Sequence, residues 1–106
     1  MTYAVSAIHH FYSNTLNVQS SGVLHDPYDY SPLAFAAEAD AIALAKMLND
    51  TGGGPSILSH GQYAPSEYRV TKSSAPSHHL PTAMTRLGLQ YDFNLDGTRK
   101  AYDYGH

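Results

Sequence analysis

Residues 36–49 read AAEADAIALAKMLN, and the spacing of their apolar side chains decides the fold class. Ala37, Ala41, Leu44, Ala45 and Leu48 recur every three or four positions, which places them on one stripe of an α-helix. Glu38 and Asp40 lie in its first turns and Lys46 near its end, an arrangement that complements the helix dipole. Asn49-Asp50-Thr51-Gly52-Gly53-Gly54-Pro55 then stops it. A stripe made largely of alanine lets a helix approach a sheet closely. Helix on sheet is therefore the expected packing.

The flanking segments supply the sheet. Thr2 to Tyr12 reads as a strand with two semi-apolar faces: Tyr3, Val5, Ala7 and Phe11 on one, and Ala4, Ile8 and Tyr12 on the other. A tight turn at Ser13-Asn14 predicts a return strand over Thr15 to Ser20. Val23 to Phe35 follows neither period and carries Pro27 and Pro32, so it reads as a long connecting loop with Leu33 or Phe35 tucked into the core. Ile57 to His60 and Glu67 to Lys72 form a further expected strand pair. Ser73 to Pro81 reads as loop, and Thr82 to Leu87 as a single helical turn. Leu87, Leu89, Tyr91, Phe93 and Leu95 alternate up to Asp96-Gly97, which predicts a hairpin pairing Leu95 with Thr98, Tyr91 with Tyr102 and Leu89 with Tyr104. The expected architecture is α+β: one domain over residues 1–106, an antiparallel sheet of five or six short strands, and one main helix on a face.

Composition removes several function classes. The 106 residues contain no cysteine, which excludes disulfides, thiolate zinc sites and thiol catalysis. No apolar run approaches the ~20 residues that span a bilayer, so no membrane partner and a cytoplasmic location are expected. Net charge is −3, with six Lys and Arg scattered along the chain, which argues against direct nucleic-acid binding. Strand edges that look unprotected allow a homodimer.

Three constellations compete for chemistry. Asp92, Asn94, Asp96 and Gly97, with Asp103 at the twelfth position, resemble the calcium loop of EF-hands and dockerins, although Arg99 and Lys100 depart from that pattern and no exiting helix fits after Asp103. Seven histidines include the pairs His9-His10 and His78-His79, but no helical metal-ligand spacing occurs. A small enzyme using histidine and carboxylate residues stays open, without a nucleophile motif; no cofactor is expected. The favoured signal is aromatic and acidic together. Tyr28-Asp29-Tyr30 lies in the long loop beside Asp26, and Tyr102-Asp103-Tyr104 near the end, with Tyr63 also available. Tyrosine gives large contact area at low entropy cost, and adjacent carboxylates steer it toward an Arg/Lys-rich surface. The expected partner-binding set is Asp26, Tyr28, Asp29, Tyr30, Tyr63, Asp103 and Tyr104.

The chain also resembles the small accessory proteins of phages and prophages, including anti-CRISPR proteins. The likeness runs through the N-terminal hairpin, Phe35 leading into the alanine-rich helix to Leu48, the segment Ile57-Leu58-Ser59-His60-Gly61-Gln62-Tyr63, and Glu67-Tyr68-Arg69-Val70. It implies a non-enzymatic inhibitor that binds a host defence complex, such as a CRISPR effector, by covering a basic surface. That family shares no catalytic residues to carry over.

Overall fold

In the computed structural model, residues 1–13, 16–51 and 67–101 are described, with side chains described in 1–8, 22–51 and 67–101. The first long apolar segment forms β1 (Thr2–Ser13), and it is the strand on which the sheet is assembled. β2 (Leu16–Val23) runs antiparallel to it, from Ser13 opposite Leu16 to Ser6 opposite Val23. β3 (Ala34–Phe35) pairs with Ala4 and Tyr3, and β4 (Glu67–Ser73) pairs along Thr2 to Ile8. A residue has only two hydrogen-bonding flanks. Since β4 overlaps both β2 and β3 along β1, those two strands share the opposite flank, end to end.

This arrangement explains the long loop. The chain leaves the sheet after Val23, opposite Ser6, and re-enters at Ala34, opposite Ala4, on the same flank. Leu24 N–H donates to the Val5 carbonyl and Leu33 N–H to the Leu24 carbonyl, so the excursion is pinched at its base. Leu33 and Phe35 are both fully buried, as their apolar character predicts. Ala34 and Phe35 depart from a pure loop by joining the sheet.

α1 (Glu38–Asp50) lies across β1, β3 and β4. Ala41, Leu44, Ala45 and Leu48 of the expected stripe are buried, joined by Ala43 and Met47, whereas Ala37 is the exposed N-cap. The apolar side chains of α1, the sheet and the C-terminal third form one cluster, including Val5, Phe35, Leu44, Met47, Tyr68, Met84 and Phe93. No helix among the described residues is long and apolar enough to cross a membrane.

The class is α+β with an antiparallel sheet, but the sheet has four strands and there are two helices among the described residues. The second helix, α2 (Leu80–Leu87), is two turns long where one was expected. Pro81 suits the first turn of a helix, where its missing N–H costs nothing, and Gly88 closes the end at φ 74°. The expected Ile57–His60 strand lies outside the described residues, as do Tyr102 and Tyr104.

The C-terminal hairpin keeps its turn but in a different register: Phe93 pairs with Arg99 and Asn94 with Thr98 in place of Leu95 with Thr98, and Tyr102 and Tyr104, the expected partners of Tyr91 and Leu89, lie outside the described residues. Residues 89–97 coil instead of extending: Asp92 and Phe93 N–H groups both donate to the Leu89 carbonyl. Leu89 and Phe93, four apart, are buried, while Tyr91 and Leu95 between and beyond them are 70% and 56% exposed. A helical repeat has thus prevailed over the strict alternation in the sequence, because only two of the four side chains have core to fill. The Asp96-Gly97 turn survives, with Gly97 at φ 89°. Its contacts are shifted, with Phe93 bridging to Arg99 and Asn94 N–H donating to the Thr98 carbonyl.

Gly97 also fixes this turn against α1. A Cβ there would lie 3.0 Å from the Ala43 carbonyl oxygen and 3.3 Å from the Ala43 Cα. Gly97→Ala therefore meets both an unfavourable φ and a backbone clash, and should lower unfolding free energy by about 2 kcal/mol or more in urea titration.

Candidate binding site

Residues 26–31, the tip of the excursion between β2 and β3, form a hydrogen-bonded turn built around one buried carboxylate. Asp26 is 1% exposed. Its Oδ1 accepts the N–H of Tyr28 at 2.7 Å and of Asp29 at 3.3 Å, the local capture for which Asp is favoured in turns. Its Oδ2 accepts from Arg86 at 2.7 Å, reaching across 60 positions of sequence to the last turn of α2. Two backbone bonds close the ring: Tyr30 N–H to the Asp26 carbonyl at 2.9 Å, and Asp26 N–H to the Ser31 carbonyl at 2.7 Å.

A second clamp holds the far side. Asp29 Oδ1 accepts both the N–H of Ser31 at 2.9 Å and its hydroxyl at 2.6 Å. Ser31 Oγ lies 2.8 Å from His78 Nε2, and the His78 N–H donates to the Ala34 carbonyl, so the segment before α2 is tied to the same turn. Because the Ser31 hydroxyl hydrogen is committed to Asp29, Nε2 of His78 must be the donor. Nδ1 of the same ring is buried without a hydrogen-bond partner among the described residues. This polarity is the reverse of what a histidine base needs to activate a serine nucleophile. The dyad serves as a clamp.

These clamps force two phenols into solvent. Tyr28 is 66% exposed and Tyr30 75% exposed. Tyr30 has φ 61°, a left-handed conformation uncommon for a side chain of its size, maintained by the bonds on either side of it. The Arg86 guanidinium also lies 5.6 Å from the centre of the Tyr28 ring, within cation–π range.

The electrostatics follow from these contacts. Burial raises the Asp26 carboxyl, but Arg86 and the N–H groups of Tyr28 and Asp29 outweigh it, and the group sits below its ordinary value. The hydroxyl and N–H of Ser31 lower Asp29, and Asp26 raises Arg86. Asp26, Asp29 and His78 bring ligand atoms within 4.8 Å of one another. The oxygens of Asp26 are already committed, and Arg86 supplies the positive charge a cation would bring. The cluster is a salt-bridged joint.

Of the expected partner-binding residues, Asp26, Tyr28, Asp29 and Tyr30 share this one turn. Asp26 corrects the expectation: it faces inward, neutralised by Arg86, and presents nothing to a partner. The tip is consequently phenolic with a single exposed carboxylate, less acidic than its sequence suggests. Tyr63, Asp103 and Tyr104 lie outside the described residues. In the calcium-like segment, Asp96 Oδ1 accepts the N–H and hydroxyl of Thr98, which lower its carboxyl, and Asn94 Nδ2 donates to Thr98 Oγ1. Asp103, the remaining ligand of that alternative, is outside the described residues. Arg86, Ser31 and His78 were invisible to a reading by local spacing, since each acts on residues distant in the chain or through backbone geometry. No protein-family model, curated protein or solved structure matches the chain.

The Asp26–Arg86 joint makes stability pH-dependent with a defined sign. The folded carboxyl titrates below its ordinary 3.8, so its contribution is complete above that value and is lost as pH falls through the folded one. Asp26→Asn should cost about 2 kcal/mol at neutral pH. In urea titrations the gap to the parent should close in strong acid; a gap constant with pH would disprove the assignment.

Proposed function

We propose that this chain is a non-enzymatic binding protein that docks to a macromolecular partner through Tyr28, Asp29 and Tyr30. The observation that carries this reading is the pair of phenols held in solvent on a turn clamped from both sides. Two rings exposed to 66% and 75% do nothing for the core, yet Asp26, Arg86, Ser31 and His78 are all spent on holding the turn that displays them. Pre-ordered aromatic side chains lose little entropy on association, which is why tyrosine recurs at interface hot spots. Asp29 at the centre selects for a cation opposite, so the partner surface carries Arg or Lys beside apolar or planar groups able to receive the rings.

The resemblance to anti-CRISPR proteins supplies a partner class with that chemistry: a host defence complex whose basic groove is made for nucleic acid. In this reading the chain inhibits by stoichiometric occupation of the groove, with the phenolic tip as anchor. Asp26 supports the display without touching the partner.

The test is plaque formation by phage on strains carrying different CRISPR systems, with and without the chain expressed, followed by binding to the purified effector that responds. Tyr28→Ala and Tyr30→Ala should each weaken binding about 30-fold, or about 2 kcal/mol, while the variants remain folded by circular dichroism. Full inhibition by the double variant would refute the tip as the anchor.

A further inference from the structure

A second feature lies on the other flank of the sheet, away from the β2–β3 excursion. β4 is an edge strand among the described residues, and one position of that edge is already occupied. The Asn49 side chain, from the last turn of α1, donates through Nδ2 to the Tyr68 carbonyl at 3.1 Å and accepts the Tyr68 N–H on Oδ1 at 2.7 Å. A carboxamide thus satisfies both outward-facing backbone groups of one residue, as a neighbouring strand would. Backbone direction alternates along an antiparallel strand, so Val70 and Lys72 share this outward set. Asn49 reaches only Tyr68.

Beside this edge runs an open groove of about 860 Å³ between α1, β4 and the Gly97 turn. Its apolar side is Ile42, which is 50% exposed, with Ala45 and half-buried Val70. Its rim carries Lys46, Arg69 and Arg99, half of the six Lys and Arg in the chain, and Lys72 follows on β4. Arg69 meets Glu67 in an exposed pair, a weak contact that another carboxylate can replace, whereas Arg99 is fixed at the rim by the side chain and carbonyl of Asp50 and by the Phe93 ring. Lys46 makes no ion pair among the described residues.

We propose that the edge of β4 accepts an acidic, extended segment of a partner protein as an added strand, seated in this groove. Strand addition answers the outward N–H and C=O groups of Val70 and Lys72, alternate apolar side chains meet Ile42 and Val70, and carboxylates meet the cationic rim. A nucleic acid would satisfy the cations but not the paired backbone groups, and among the described residues lining the groove the one aromatic ring, Tyr68, is buried and unavailable for a base to stack on. A second copy of this chain paired through β4 would protect the Val70 and Lys72 amides in the free protein, an outcome the test below reads directly. The acidic peptide is the occupant that matches both backbone and charge, and the proposal stands independently of the tyrosine tip.

The test is amide hydrogen exchange by NMR on the intact chain, using the capped peptide TEVEVET, its lysine counterpart TKVKVKT, and a ten-nucleotide oligothymidylate. In the free protein the Val70 and Lys72 amides should exchange rapidly, and the acidic peptide should slow both at least tenfold. The lysine peptide and the oligonucleotide should leave them unchanged. N-methylation of alternate peptide amides should weaken binding at least tenfold, which probes strand pairing without altering the protein, and Lys46→Glu should weaken it several-fold. Protection of both amides in the free protein, equal binding of the two peptides, or protection by the oligonucleotide would each overturn the proposal.

Discussion

The Asp26–Arg86 pair joins the two halves of the molecule that the sheet does not connect directly. Asp26 belongs to an excursion between two strands on one flank of β1, and Arg86 to a helix that forms after β4 has completed the opposite flank. Removing a carboxylate from water is unfavourable, and one hydrogen-bond partner would not offset it. Here three donors converge on Asp26, two of them from the turn itself and one charged. The same atoms therefore do two things: they shape residues 26–31, and they orient that shape relative to α2. The exposure of Tyr28 and Tyr30 is a consequence of this joint.

The joint also redistributes charge. A sequence with nine acidic and six basic residues reads as uniformly acidic. In three dimensions Asp26 is cancelled, the tip is left phenolic, and the basic side chains concentrate around the groove beside β4. The tip and the groove lie on opposite flanks of the central strand.

What the sequence made legible was what depends on local periodicity with a single solution. The helix over Glu38–Asp50 and the strands Thr2–Ser13 and Glu67–Ser73 follow from apolar spacing alone, and the Gly97 turn from its dipeptide. The segment from Leu87 to Leu95 failed because its alternation contains a second period, Leu89 to Phe93, and only the available core volume chooses between them. Gly88 limits the helix that local spacing predicts to one turn, whereas α2 gains its second turn by starting earlier, with Pro81 accommodated in the first turn and Gly88 closing the end. At the candidate site, the aromatic residues were visible as a cluster. The inward turn of Asp26 was not, because burial of a carboxylate depends on a guanidinium 60 residues away that no local pattern announces.

Asn49 carries one further implication, for how the molecule ages. Its carboxamide works only because nitrogen faces a carbonyl and oxygen faces an N–H. Spontaneous deamidation would exchange that nitrogen for an oxygen, setting a carboxylate against the Tyr68 carbonyl and releasing a backbone position that is otherwise shut. A single hydrolytic event of +1 dalton would extend the open part of the β4 edge from Val70 and Lys72 to Tyr68, so chemical wear at one side chain sets how much of that edge is exposed.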